Sequence, residues 1–151
     1  MVGVFLMMKM YTDGACLKNP GGAGGWAFAG DGGLTGAGGE AETTNNRREM
    51  RAVIEALRAT PGGHTVILYS DSQYVVKGAS SWLVAWKRKG WRTRDGSPVK
   101  NDDLWREIDR LQSERTVRFQ WVRGHNGNPM NELCDRMANA AAHRAAVVPS
   151  R

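Results

Sequence analysis

Two periods of apolar residues alternate along this chain. Phe5 to Thr12 is a short apolar run that stops at Asp13-Gly14, and Gly24 to Ala29 is a second run of strand length. The glycine-rich segment Gly30 to Gly39 is poor in strand-forming residues, so any strands there are expected to be abbreviated. From Asn46 the period lengthens. Met50, Val53, Ile54 and Leu57 fall at i, i+3, i+4 and i+7, the stripe of a helix that ends at Thr60-Pro61-Gly62-Gly63. Val66 to Ser70 reads as a short buried strand. Ser72 to Lys77 and Ser81 to Lys89 read as two short helices divided near Gly78, and Asp102 to Ser113 as another helix. Thr116 to Arg123 is again a strand, and Pro129 and Asn131 open a last helix, Glu132 to Ala145. The order of elements predicts an α/β fold. With no internal repeat and no linker, it predicts one domain over 1–151, its core about 5–146 and a tail at 147–151 without order.

Composition narrows the class. With 151 residues, 41% of them hydrophobic, the chain has material for one real core and not for two ordinary domains. The formal charge of +6 fits an anionic partner, and it is concentrated: Lys87, Arg88, Lys89, Arg92, Arg94 and Lys100 stand against the single acid Asp95 between 87 and 100. Cys16 and Cys134 are the only cysteines and neither has zinc-ligand or paired spacing, which excludes a zinc module and a disulfide scaffold. The apolar opening, Met1 to Met8, has no basic leader and no cleavage site, and Lys9 interrupts it well short of a membrane span. A cytosolic protein is expected.

The acids carry the candidate chemistry. Asp13 and Asp71 each follow an apolar strand, at the carboxyl edge where open α/β sheets place ligands. On a helical wheel Arg48, Arg51, Glu55 and Arg58 share the face opposite the apolar stripe, whereas Glu49 lies at its flank. Asp135 falls in the first turns of the last helix. Taken singly, each acid has an ordinary explanation as turn former, cap or dipole partner. They converge if the strands ending in Asp13 and Asp71 are neighbours and both helices bring their N-terminal ends to that edge. Clustered carboxylates repel unless cations lie between them, and an oxygen-only donor set selects Mg²⁺ or Mn²⁺. Two such ions about 4 Å apart suit an in-line phosphodiester displacement.

Four segments in order give these acids a family likeness. Tyr11-Thr-Asp-Gly-Ala-Cys-Leu-Lys-Asn-Pro-Gly21, Thr43-Thr-Asn-Asn-Arg47 with Glu49, Ser70-Asp-Ser-Gln-Tyr-Val75, and Trp121-Val-Arg-Gly-His125 through Cys134-Asp135 resemble the motifs of the bacterial ribonuclease H type 1 family. The likeness runs from about Met10 to Ala142. It implies a ribonuclease H-like fold, a mixed five-stranded sheet flanked by helices. It also implies metal-dependent hydrolysis of the RNA strand of an RNA–DNA hybrid, with Asp13, Glu49, Asp71 and Asp135 holding Mg²⁺ or, in substitution, Mn²⁺. His125, between Gly124 and Gly127, takes the place of the family's loop histidine, which handles a proton or product release.

The same resemblance assigns substrate contacts. It places Asn19, Asn46 and Gln73 beside the hybrid's minor groove, where amides meet base edges and 2′-hydroxyls. Thr44 and Asn45 resemble part of a pocket for a DNA-strand phosphate, and Thr44 with Asn45 also suits the N-cap of the helix that follows. Trp82 to Lys100 resembles the family's basic handle, with Trp82, Trp91, Lys87, Arg88 and Lys89 on the DNA strand, although Trp82 and Trp86, four apart, suit core packing as well. Two features depart from the pattern. Arg48 and Arg51 stand where the family usually has apolar residues, which puts extra charge on the outer face of the helix, and the Gly30 to Gly39 segment is shorter than the family's second hairpin. A catalytically silent hybrid-binding module would have no reason to keep four acids, and a transposase or integrase core would usually bring further domains. A monomer is expected.

Overall fold

The computed structural model describes residues 7–18, 22–124 and 127–146. Five strands form one sheet: β1 (Met7–Cys16), β2 (Gly24–Gly30), β3 (Thr35–Glu40), β4 (Thr65–Ser70) and β5 (Thr116–Trp121), in the order β3-β2-β1-β4-β5. The first three are antiparallel neighbours, and β1, β4 and β5 run parallel. This is the mixed five-stranded sheet that the sequence implies. The helices are α1 (Asn45–Arg58), α2 (Gln73–Lys77), α3 (Leu83–Arg88), α4 (Asp102–Ser113) and α5 (Pro129–Ala146). Among the described residues no helix is long and apolar enough to cross a membrane. The tail 147–151 lies outside the described residues.

Two cores lie on opposite faces of the sheet. On one, the α1 stripe Met50, Val53, Ile54 and Leu57 packs with Met10, Val66 and Leu68 of the sheet and with Trp105, Ile108 and Leu111 of α4. On the other, Cys134, Ala138 and Ala142 of α5 pack on Ala15, Ala27 and Ala29. Local signals set the helix ends. Thr44 Oγ1 accepts from the Arg47 N–H at 3.2 Å and caps α1. At the start of α5, Asn128 Oδ1 accepts from the N–H groups of Met130 and Asn131, and Pro129 takes the first helical position. The last helix therefore begins three residues before the expected Glu132.

Three other expectations are corrected. The first strand runs on past Asp13 to Cys16, because it parts from β4 at Tyr11 but stays paired with β2 as far as Gly24. The glycine-rich segment forms a full hairpin, β2 with β3. Trp26 lies opposite Gly38 and Phe28 opposite Gly36, so the two rings cover the bare glycine backbone across the strand pair. The helices around Gly78 are not divided: Gly78–Trp82 forms a π-helical turn that joins α2 to α3. A Cβ at Gly78 would sit 2.2 Å from Trp105 Cη2, so the glycine is there for close approach to the core and not to break the helix.

The α5 face depends on a similar approach. A Cβ on Gly25 would lie 2.2 Å from the Ala138 carbonyl oxygen and 2.6 Å from the Ala142 nitrogen, both main-chain atoms that cannot rotate away. Gly25→Ala should therefore cost about 1–3 kcal/mol of stability. Gly62→Ala, whose new Cβ would lie 3.6 Å from the Glu114 carbonyl oxygen, should change it by less than about 0.5 kcal/mol. Urea denaturation of the two variants checks this, and equal effects would contradict the packing of α5 described above.

Candidate active site

The register of the parallel strands builds the site. Tyr11 of β1 pairs with Tyr69 of β4, and their rings stack at 4.4 Å; Asp13 and Asp71 stand two positions beyond, where the strands diverge. Asp71 is held from the far side: Trp121 at the end of β5 donates its indole N–H to the Asp71 carbonyl at 3.1 Å. Glu49 comes from the N-terminal part of α1. The carboxylates of Asp13, Glu49 and Asp71 bring ligand oxygens within 4.8 Å of one another. Three of the four acids singled out in the sequence thus converge.

Asp135 projects from α5 beside this group. Its Oδ1 accepts from Asn139 Nδ2 at 3.2 Å, and its charge acts on the Asp13 carboxyl, although it falls outside the tight triplet. Within the triplet one residue is buried and two are partly buried. Asp13 is only 4% exposed, and Glu49 Oε1 and Asp71 Oδ1 are buried without a hydrogen-bond partner. Such orphaned acceptors are costly unless something positive meets them. An oxygen-only donor set with two unsatisfied buried oxygens fits a hard divalent cation.

Burial and mutual repulsion also disturb the acids' protonation. Burial first, and the Asp71 charge second, push the Asp13 carboxyl up to about 8, against a weaker downward pull from the Gly14 N–H, which donates to Asp13 Oδ1 at 2.8 Å. Glu49 is also raised well above the usual range, by burial and then by Asp13 and Asp71. Cys134 lies nearby with its thiol bonded to the Tyr11 carbonyl, and burial with the Asp13 charge lifts it to about 12, which makes it an inert core residue.

The structure places the remaining site residues unevenly. Thr44 and Asn46 are half-buried and Asn45 exposed at the start of α1; Gln73 is exposed at the start of α2. Asn19 and His125 lie outside the described residues. The chain just before His125 does pass the site, since a Cβ on Gly124 would be 2.8 Å from Asp71 Oδ2. In the basic segment, Arg88, Lys89, Arg94 and Lys100 are exposed and carry no ion pair among the described residues, whereas Lys87 is bound to Asp109 at 3.0 Å. The segment is anchored rather than loose: Trp91, at φ 65°, donates to the Trp86 carbonyl, lies under Arg106 at 5.3 Å, and Val99 beside it is buried. Trp86 packs on Trp105 in the core, and Trp82, 39% exposed, lines the outer rim against Tyr74 and Trp86.

Sequence reasoning misplaced Arg48 and passed over Trp121. Arg48 was expected on the outer face of its helix but is 9% exposed. A wheel assumes that one side of a helix is covered. The first turn of α1 is covered on two, because the end of the β1–β2 pair, at Gly14 and Gly24, lies against Arg48. Arg51 does face outward, 3.7 Å from Glu55. For Trp121 the sequence offers no signal beyond the motif it opens, because an indole at a strand end gives no sign of its partner.

The fold and the carboxylate cluster define a nuclease whose acids are arranged for a divalent cation. The chain belongs to the RNase H family, whose model, described as RNase H, matches residues 7–143. It is 56% identical to a ribonuclease H of Cupriavidus pinatubonensis over 133 residues, 86% of this chain and 91% of that protein. To a ribonuclease H of Bordetella avium it is 51% identical over 136 residues, 88% of each chain. Among solved structures it superposes on LC9-RNase H1, a type 1 RNase H with the type 2 active-site motif, with a TM-score of 0.82 and 30% identity, over 99% of this chain and 80% of that one.

The raised Asp13 carboxyl sets a direction for stability against pH. Between its ordinary pKa of 3.8 and about 8, the folded metal-free protein keeps a proton that the unfolded chain has lost, so the stabilisation from Asp13 is complete below about 4 and is lost as the pH rises through about 8. Thermal melts in EDTA at stepped pH should show this decline, and Asp13→Asn should flatten it. With excess Mg²⁺ the ion-induced rise in melting temperature should grow over the same interval, because the ion must displace the proton. A wild-type and an Asp13→Asn profile of equal slope would contradict the placement of this carboxylate.

Proposed function

We propose that this nuclease hydrolyses the RNA strand of RNA–DNA hybrids, with Mg²⁺, or Mn²⁺ in substitution, held by Asp13, Glu49 and Asp71 and with Asp135 completing the set. The observation that carries the reading is the triplet of carboxylates within 4.8 Å, Asp13 buried and Glu49 and Asp71 partly buried, drawn from the point where β1 parts from β4, the end of β4 and a helix that lie far apart in sequence. When bound, two such ions supply the Lewis acidity for attack of water on a phosphodiester in line with the leaving oxygen. The chain's own part is to hold the donors and to seat the substrate. The stacked pair Tyr11–Tyr69 fixes β1 and β4 at their last shared register position before the two aspartates, and the Trp121 indole fixes the main chain at Asp71.

Recognition follows from residues around the triplet. Asn46 and Gln73, with Asn19, present amides to base edges and to the 2′-hydroxyl, the group that separates RNA from DNA. Thr44 and Asn45, at the N-terminus of α1, suit a phosphate of the DNA strand, since the positive end of the helix dipole favours an anion there. Arg88 and Lys89, with Trp82 and Trp91 beside them, hold the same strand further along. Lys87 is the weakest of these contacts because Asp109 already occupies it. His125, the residue after Gly124, acts as the proton-handling group. We read the enzyme as a cytoplasmic monomer, and its two free cysteines fit a reducing compartment.

Cleavage of labelled nucleic acids tests this reading. With Mg²⁺ the protein should cut the RNA strand of a hybrid and leave duplex DNA, duplex RNA and single-stranded RNA largely intact. The products should end in 5′-phosphate and 3′-hydroxyl, because water and not the neighbouring 2′-hydroxyl attacks. Asp71→Asn should lower the rate by several orders of magnitude, and retention of more than roughly a tenth of it, little over 1 kcal/mol of barrier, would remove that residue from the site. Cyclic phosphate ends, or full activity in EDTA, would refute the mechanism.

A further inference from the structure

Arg48 occupies an unusual place for a basic residue. It is 9% exposed, and its Nη1 lies 3.7 Å from Glu49 Oε2. Among the described residues no other basic side chain makes an ion pair with Asp13, Glu49 or Asp71. Its hydrogen bonding is incomplete: Nη2 donates to Asn45 Oδ1 at 2.5 Å, but Nε and Nη1 are buried without an acceptor. The guanidinium also runs directly under the residue after Asp13, since a Cβ on Gly14 would meet Nη1 at 2.5 Å and Cγ at 2.9 Å. The site is thus shaped around this side chain.

A buried cation with two idle donors is expensive, and one hydrogen bond to an exposed asparagine does not offset it. The acids are the compensating feature. Three carboxylates within 4.8 Å repel one another, and a positive charge beside them lowers that repulsion when no metal is present. A divalent ion in the same cluster would then have Arg48 as a like-charged neighbour.

We propose that Arg48 is a built-in counter-ion of the carboxylate cluster, a positioning residue that steadies Glu49 and its neighbours in the metal-free enzyme and weakens their hold on the metal. The inference rests on the reading of the cluster as a divalent-cation site. It makes the enzyme less dependent on the ion for its fold, and more demanding in the Mg²⁺ concentration it needs.

The test is metal binding, read without any turnover. Metal-free wild type, Arg48→Met and Arg48→Lys are titrated with Mg²⁺ by calorimetry, and their melting temperatures are taken with and without saturating Mg²⁺. Arg48→Met should bind Mg²⁺ about tenfold more tightly, and the ion should raise its melting temperature by about 3–5 °C more than that of wild type. Arg48→Lys, which keeps the charge, should stay within about twofold of wild type. Unchanged or weaker affinity in Arg48→Met, or an equal shift in Arg48→Lys, would overturn the proposal in favour of a tether for Asn45. If Arg48→Met unfolds without metal, refolding on addition of Mg²⁺ supports the counter-ion and failure to refold rejects it. Wild type that takes up no Mg²⁺ would overturn the metal-site reading and this inference together, whereas binding by wild type with no change in Arg48→Met rejects the role of Arg48 alone.

Discussion

Carboxylates held within 4.8 Å of one another, one buried and two partly buried, repel, and the fold has to bear that repulsion unless a cation lies between them. Asp13 responds by holding its proton to about pH 8, Glu49 is driven the same way, and two acceptor oxygens are left without partners. None of this favours folding. The site is held by what surrounds it: the parallel register of β1 and β4, the cap on α1 and the indole bond from Trp121 to the Asp71 main chain.

Two of the surrounding helices are held by close approaches that a larger side chain would prevent. The helix that carries Asp135 lies against the backbone of Gly25, and the long helix after Asp71 lies against Trp105 through Gly78. The aromatic group Tyr74, Trp82, Trp86 and Trp105 then joins that helix to α4, whose Arg106 lies over Trp91 of the basic segment. Asn101 Nδ2 and Trp105 Nε1 both donate to the Tyr74 hydroxyl, and Arg47 reaches Asn101 and Asp103 from the first turn of α1. The surface proposed to hold the nucleic acid and the acids proposed to cut it are therefore parts of one packed frame.

Much of this frame was legible in the sequence because it follows from local rules. The α1 stripe, α4 from Asp102 to Ser113 and the strand at Val66 to Ser70 all declare themselves by period and length. Convergence of Asp13 and Asp71 needed one further assumption, that their strands are neighbours, which pattern alone does not provide and the family resemblance did. The misreadings have one cause in common: they concern what lies across from a residue. Gly36 and Gly38 form a strand because Phe28 and Trp26 cover them, and Gly78 stays helical because Trp105 fills its space. Arg48 is buried because the first turn of α1 is enclosed on a second side. A wheel or a propensity scale sees the residue but not its neighbour.

A cluster that stores repulsion for a divalent cation to relieve has a direct signature in the sign of one difference. Asp71→Asn removes one of the repelling charges and one of the ligands at once. Its unfolding free energy should exceed that of wild type in EDTA and fall below it in saturating Mg²⁺, a crossing that a purely structural aspartate cannot produce. The same order of stability in both solutions would contradict the account.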